Sequence, residues 1–403
     1  MKISTATVSD VGEGVRGFEV ETNEGPDLVE TLKKSRGETH DRIVAQCLGA
    51  ASAWAYSDAD TFARAMHRRG GVPYNETVSV RITNNALLVD TEAFVCQSKD
   101  KKLVILAFGG TNPVNLIQLL LDVTPRRDQF WTVGRVHGSF FRSALALWPT
   151  LKKLLSFAIG GSSLCSGAES ERGRTREECK PSRGKARVNG SRNEAHDSQD
   201  DLCEPSSADS EEPKTTLYLT GHSLGGALAL LTAAIMYLDP DAAPLWESVR
   251  AIYTYGQPMV GCSDFAEKFE DILGRKLYRH IYRDDFVPTM PSRTAGQFQH
   301  IGAELCSTEN GWLPHVTYVK QAPSFVTSFA SGIVNFFAEQ VPDVRTLPFL
   351  SRLQPFQRVL QCLKPLVPTT PLFDYFPQVS LYDHLPVNYL RTSMILPPGT
   401  EFL

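Results

Sequence analysis

The stretch LYLTGHSLGGALALLTA, Leu217 to Ala233, limits the fold more than any other part of the chain. A short apolar run leads into a serine with glycines two residues away on either side, and a series of small and apolar residues follows. Gly221-His222-Ser223-Leu224-Gly225 fits G-x-S-x-G, a turn that carries a serine from the end of a strand into a helix. A turn this sharp forces the serine into strained backbone, and side chains at the flanking positions would strike the strand or the helix, hence glycine. Gly226, Ala227 and Ala229 then let the helix lie close on a sheet. The same five-residue pattern occurs in ordinary glycine-rich loops; here the strand before it and the helix after it supply the context that a nucleophilic serine needs.

The flanking sequence extends that unit into a layered fold. Residues 41–56, DRIVAQCLGAASAWAY, have helical apolar spacing, and ALLVDTEAFVCQSKDKKLVILAF reads as two strands joined by a polar turn. SFFRSALALWPTLKKLLSFAI, from Ser139, is helical in pattern, with Pro149 expected to kink or end it. After Lys214 the order is strand (216–220), helix (224–237), strand (249–255), helix (263–273), strand (276–282), which predicts an α/β fold with a mixed, mostly parallel sheet and helices on both faces. Gly160 to Lys214 is rich in Ser, Gly and mixed charge and has almost no aliphatic residues, so it reads as a disordered insertion leaving one continuous domain. The expected plan is an amino-terminal extension over 1–40 and one domain over 41–395, interrupted at 160–214. That domain contains an apolar, proline-punctuated segment at 323–376 that serves as a cap or a membrane-facing surface.

Composition excludes little. Among 403 residues, Lys and Arg number 41 against 45 acidic residues, a net charge of -4, so no basic field points to nucleic acid. The cysteines, Cys47, Cys96, Cys165, Cys179, Cys203, Cys262, Cys306 and Cys362, show no CxxC pair and no metal-ligand spacing with histidine, and they read as reduced thiols. Neither a metal nor a cofactor is expected. MKISTATVSDVGEGVRGFEV lacks the apolar core of a secretory signal, so an intracellular location is expected. No window reaches the roughly 18 to 20 apolar residues of a spanning helix; the nearest, Phe325 to Ala338, is short and carries polar residues, which leaves room for an interfacial segment.

A serine hydroxyl needs a base within hydrogen-bond reach and a third group to orient that base. In strand–turn–helix serine sites the chain order is serine, then acid, then histidine. Asp284 and Asp285, in YRDDFVPTMP, follow the end of a predicted strand, where functional groups of open α/β sheets collect, and either one fits. His300, His315 and His384 follow; position alone slightly favours His384, in the polar turn LYDHLPVNYL, over His300, which looks half embedded in a strand.

VILAFGGTNPVN, VHGSFFRSALALW, LTGHSLGGALALL, IYTYGQPMVGCSDFAEKF, YRDDFVPTMP, FQHIGAEL and DHLPVNYL together resemble, in order and chemistry, the class 3 lipases, a fungal-lipase-like family of α/β hydrolases. The resemblance runs from about residue 45 to residue 391, apart from the polar insertion. It implies Ser223 as nucleophile, Asp285 of the D-x-V-P motif as acid, His384 of the D-H motif as base and His300 as a structural histidine. It also implies an oxyanion hole built from the backbone N–H of Leu224 and from Thr111, with Gly109 standing where the family carries arginine. Asn112 to Asp122, with Val114, Ile117, Leu120 and Leu121 near one face, takes the position of a lid. The implied activity is acylglycerol ester hydrolysis at a lipid interface, with association to a membrane or lipid droplet. Phospholipase A1 or diacylglycerol lipase activity is the alternative reading, and a catalytically silent lipase-like adaptor is a third.

Overall fold

The computed structural model describes residues 1–8, 28–84, 89–110, 127–170, 215–291, 293, 296–314 and 382–394. Thr111, the segment 112–122, His315, residues 171–214 and residues 323–376 lie outside the described residues.

The strands are β1 (Lys2–Thr7), β2 (Glu76–Asn84), β3 (Val89–Gln97), β4 (Leu103–Phe108), β5 (Arg127–Phe130), β6 (Gly134–His137), β7 (Thr216–His222), β8 (Val249–Tyr255), β9 (Gly261–Cys262), β10 (Leu277–Ile281), β11 (Phe298–Gln299), β12 (Ala303–Thr308) and β13 (Gly311–Pro314). The helices are α1 (Leu28–Lys34), α2 (Arg42–Trp54), α3 (Ala59–Arg68), α4 (Gly138–Ile159), α5 (Leu224–Leu238), α6 (Ala243–Ser248), α7 (Ser263–Leu273) and α8 (Pro386–Met394). Among the described residues, a nine-stranded sheet runs in the order β1-β2-β3-β4-β7-β8-β10-β12-β13. Its centre, β4-β7-β8-β10-β12, is parallel, and both edges are antiparallel. A four-stranded sheet, β11-β9-β6-β5, stands apart from it in pairing.

Burial on both faces explains the unbroken apolar run of β4. Val104, Leu106 and Phe108 face a core that includes Leu147, Leu151 and Leu228, whereas Leu103, Ile105 and Ala107 face a second core that includes Val44, Leu48 and Phe62. Helix α4 continues through Pro149 without ending there. Leu147, Trp148, Leu151, Leu154 and Leu155 are buried on both sides of the proline. Burying each such side chain contributes about 1.5–3 kcal/mol, which together outweighs the roughly 3 kcal/mol cost of a helix-interior proline.

Two domain boundaries shift. The described parts of the amino-terminal stretch join the domain, because β1 pairs with β2 over Lys2–Thr7 and Leu32 of α1 is buried in the second core. The polar stretch expected to be disordered from residue 160 is ordered at its start: residues 164–170 are helical, and Leu164 and Ala168 are buried. Gln97 anchors this start, donating to the carbonyls of Ala158 and Ser162 at 3.1 and 3.0 Å and accepting from the Leu164 amide at 3.1 Å. Two well-placed aliphatic residues and one buried amide were enough to order a sequence that is polar on average.

Candidate active site

Between β7 and α5, Ser223 has φ 58° and ψ −126°, backbone that L-residues rarely adopt. Its amide donates to the Tyr255 carbonyl at 2.8 Å and its carbonyl accepts from Gly226 N–H at 3.0 Å, so neighbouring structure holds the strain in place. A Cβ on Gly221 would lie 2.3 Å from the Gly225 carbonyl carbon, and one on Gly225 would lie 2.2 Å from the Phe108 oxygen. The strand, the helix and the end of β4 therefore meet at backbone contact, which is the steric reason for the glycine spacing. Ser223 is fully buried, and Leu224, at the start of α5, belongs to the turn whose amides have no partner inside the helix.

Asp285 and His384 are 99 residues apart in sequence, yet His384 Nδ1 lies 2.7 Å from Asp285 Oδ2. The other carboxylate oxygen accepts from the Val287 amide at 2.9 Å, and the Tyr389 hydroxyl donates to Oδ2. Asp284 has a different role: its amide donates to Asp383 Oδ2 at 3.2 Å, tying the aspartate turn to the histidine turn. His300 is half-buried and donates from Nε2 to the Pro288 carbonyl at 2.8 Å, supporting the loop after Asp285; desolvation, then the charge of Arg279, holds its pKa well below the usual histidine value.

His222, next to the serine, stacks obliquely on His384 with ring centroids 4.6 Å apart. Its Nδ1 lies 2.8 Å from the Tyr56 hydroxyl. Burial, then the neighbouring His384, holds its pKa far below the usual value, so His222 remains neutral and does not compete with His384 for a proton. Ser223 Oγ and His384 Nε2 are both buried without a hydrogen-bond partner among the described residues. A serine–histidine contact of this kind commonly tightens only when substrate arrives.

The loop that leads to Thr111 reaches the same place. Gly109 accepts no side chain, because a Cβ there would stand 2.7 Å from the Ala55 carbonyl oxygen, and a Cβ on Gly110 would stand 2.9 Å from the His222 carbonyl oxygen. The residue just past α2 thus fills the space beside Gly109. Sequence reasoning missed Tyr56, Tyr389 and Gly256. The first two are single tyrosines on helix ends or faces with no local signature. Gly256, at φ +58°, has only GQP as a local cue, and a Cβ there would touch Asp285 Oδ2 at 2.8 Å and His384 Nδ1 at 3.0 Å.

The family model for lipase (class 3) matches residues 192–295, which include Ser223 and Asp285 but neither Thr111 nor His384. A triacylglycerol lipase OBL1 from Nicotiana tabacum is 36% identical over 104 residues, covering 25% of this chain and 18% of that protein. A secreted mono- and diacylglycerol lipase 1 from Fusarium solani is 31% identical over 163 residues, covering 40% of this chain and 44% of that protein. The chain thus spans less than half the length of these relatives. The solved Rhizomucor miehei lipase propeptide complex is 19% identical, with a TM-score of 0.44 and coverage of 69% of this chain and 72% of that one. By its family-model match and its sequence relatives, this chain is similar to class 3 lipases over part of its length.

Proposed function

We propose that this chain is a serine ester hydrolase that cleaves acylglycerols through an acyl-enzyme, with Ser223 as nucleophile, His384 as general base and Asp285 as the group that orients it. The observation that carries this reading is the strained, buried Ser223 in one site with the His384–Asp285 pair at 2.7 Å. His384 Nε2 takes the Ser223 proton as Oγ attacks the ester carbonyl, and Asp285 steadies the resulting imidazolium through Nδ1–H. The negative charge forming on the carbonyl oxygen falls to the backbone N–H of Leu224, at the positive end of α5, and to Thr111. Collapse of the tetrahedral intermediate breaks the ester C–O bond, and His384 returns its proton to the departing glycerol oxygen. Water, deprotonated by the same histidine, then releases the fatty acid and restores Ser223.

The relatives' names divide between triacylglycerol and mono- and diacylglycerol substrates, which supports an acylglycerol here over a phospholipid. A lipid surface, at a membrane or droplet inside the cell, is the setting this reading assigns. Incubating the protein with a fluorophosphonate probe, beside Ser223→Ala, tests the nucleophile: labelling of the unaltered chain that disappears in the variant is expected. Labelling that persists in Ser223→Ala, or no labelling of either, overturns the reading and in the second case favours a silent adaptor. Tri-, di- and phospholipid emulsions then rank the substrates, with acylglycerols expected first.

A further inference from the structure

We propose that His222 is a positioning residue for His384, its ring being the plate against which the plane of the general base is set; this rests on the hydrolase reading above. Asp285 holds Nδ1 of His384 at 2.7 Å, and the backbone holds its Cβ. A ring held at those two points can still turn about the line through them. The histidine χ2 torsion does not prevent this, because its preference is broad and roughly two-fold. Nε2, the atom that must meet the serine, lies off that line and has no hydrogen-bond partner among the described residues. Packing therefore has to set where it points.

Two contacts do this. A Cβ on Gly256 would lie 3.0 Å from both Cε1 and Nδ1 of His384, so the backbone just past β8 sits close against the ring. His222 supplies the other contact, with ring centroids 4.6 Å apart and planes inclined at 36°. His222 is itself held firmly. It is 2% exposed, its Nδ1 lies 2.8 Å from the Tyr56 hydroxyl, and the Tyr389 ring meets it edge-on at 5.2 Å. As the last residue of β7 it pairs in register with Tyr255, the residue before Gly256. Both contacts on His384 thus come from the ends of two neighbouring parallel strands. Because His222 also precedes Ser223, the nucleophile and the plate share one stretch of backbone. Burial keeps His222 neutral, so the plate does not repel the imidazolium that forms during the reaction. Such a contact acts on the alignment of the proton transfer, where a misplacement of about 1 Å costs up to about 100-fold in rate.

His222→Leu removes the flat ring and His222→Phe keeps one. Both lose the contact with the Tyr56 hydroxyl, so the difference between them reads the ring face alone. The test measures kcat and KM on a soluble short-chain ester across pH, the rate of fluorophosphonate labelling, and the thermal unfolding midpoint. The expected result is that His222→Leu lowers kcat and the labelling rate together by about tenfold, with KM and the midpoint of the acid limb unchanged, and that His222→Phe recovers most of both rates. His222→Met takes the place of His222→Leu if the latter does not fold. Equal kcat in the ringed and unringed variants overturns the proposal, whether both fall or neither does; equal kcat beside a lowered thermal midpoint makes His222 structural. A shifted acid limb in His222→Leu also overturns it, because His222 then acts on the charge of the base and not on its direction. So does a changed KM with kcat intact, which makes His222 a substrate contact. Absence of labelling in the unaltered protein overturns the hydrolase reading and this proposal together, whereas full-rate labelling of His222→Leu overturns this proposal alone.

Discussion

Tyr389→Phe isolates the support beneath Asp285, the proposed acid. Tyr389 is 1% exposed, donates to Asp285 Oδ2 and accepts from the Tyr282 amide at 3.2 Å, so the hydroxyl links the helix after His384 to the strand end before Asp285. Burial and the nearby Asp285 charge push its own pKa well above the usual tyrosine value, so it remains a donor at every pH at which the protein is assayed. A hydrogen bond to a charged group is worth about 1.5–3 kcal/mol, and loss of the hydroxyl also strands the Tyr282 amide. We expect Tyr389→Phe to lose about 2 kcal/mol of stability by urea unfolding. Asp285 keeps the Val287 amide and His384 as partners, so only part of that energy reaches the reaction. The expected kcat is about tenfold lower, about 1.4 kcal/mol, with KM little changed. Urea denaturation and ester hydrolysis on the same preparation check both numbers. A kcat within about twofold of the unaltered chain, beside the expected stability loss, would refute the claim that this bond orients the carboxylate for catalysis.

Asp285→Asn should leave the fold intact and lower kcat by about three to four orders of magnitude, because the amide no longer stabilises the imidazolium; stopped-flow ester hydrolysis checks this. Gly225→Ala drives a Cβ to 2.2 Å from the Phe108 oxygen and should cost about 3 kcal/mol in denaturant unfolding, with loss of activity. Three buried histidines and the half-buried His300 predict acid lability: desolvation pushes the pKa of His137 down to about 3 and those of His222, His280 and His300 well below the usual value. The unfolded chain then binds more protons than the native one, so stability is complete above about pH 6.5 and falls as pH drops below it, by up to about 1.4 kcal/mol per pH unit for each histidine. A thermal midpoint that stays level from pH 7 to pH 5 would contradict this. Glu304→Gln should cost about 3–5 kcal/mol in denaturant unfolding, because it breaks the buried pair with Arg279 at 3.2 Å.

Strand and helix positions from residue 216 to residue 282 were legible because burial leaves a mark on each element: β7 and β8, covered on both faces, read as short apolar runs, and α7 carries one apolar stripe. Ser223 was legible from local sterics alone, because the glycines that admit the turn are adjacent in sequence. Asp285 was not separable from Asp284 by position. The structure separates them through a contact with Asp383, 99 residues away. Tyr56 and Tyr389 were invisible for the same reason, since each acts across a distance that no periodicity records. Pro149 does not end the helix, one of its two expected effects, because a core buries both halves of α4.

The placement of α8 has a consequence for control. His384 and Tyr389 ride on or beside this helix, which docks on α2 where Ser393 fills the space left by Gly49 and accepts from Trp312 Nε1 at 3.0 Å. Ser223 and Asp285 lie at the ends of sheet strands, whereas His384 immediately precedes a helix held by packing. Under the proposed mechanism, undocking α8 would silence Ser223 without unfolding the sheet, so esterase activity would double as a gauge of whether α8 is seated.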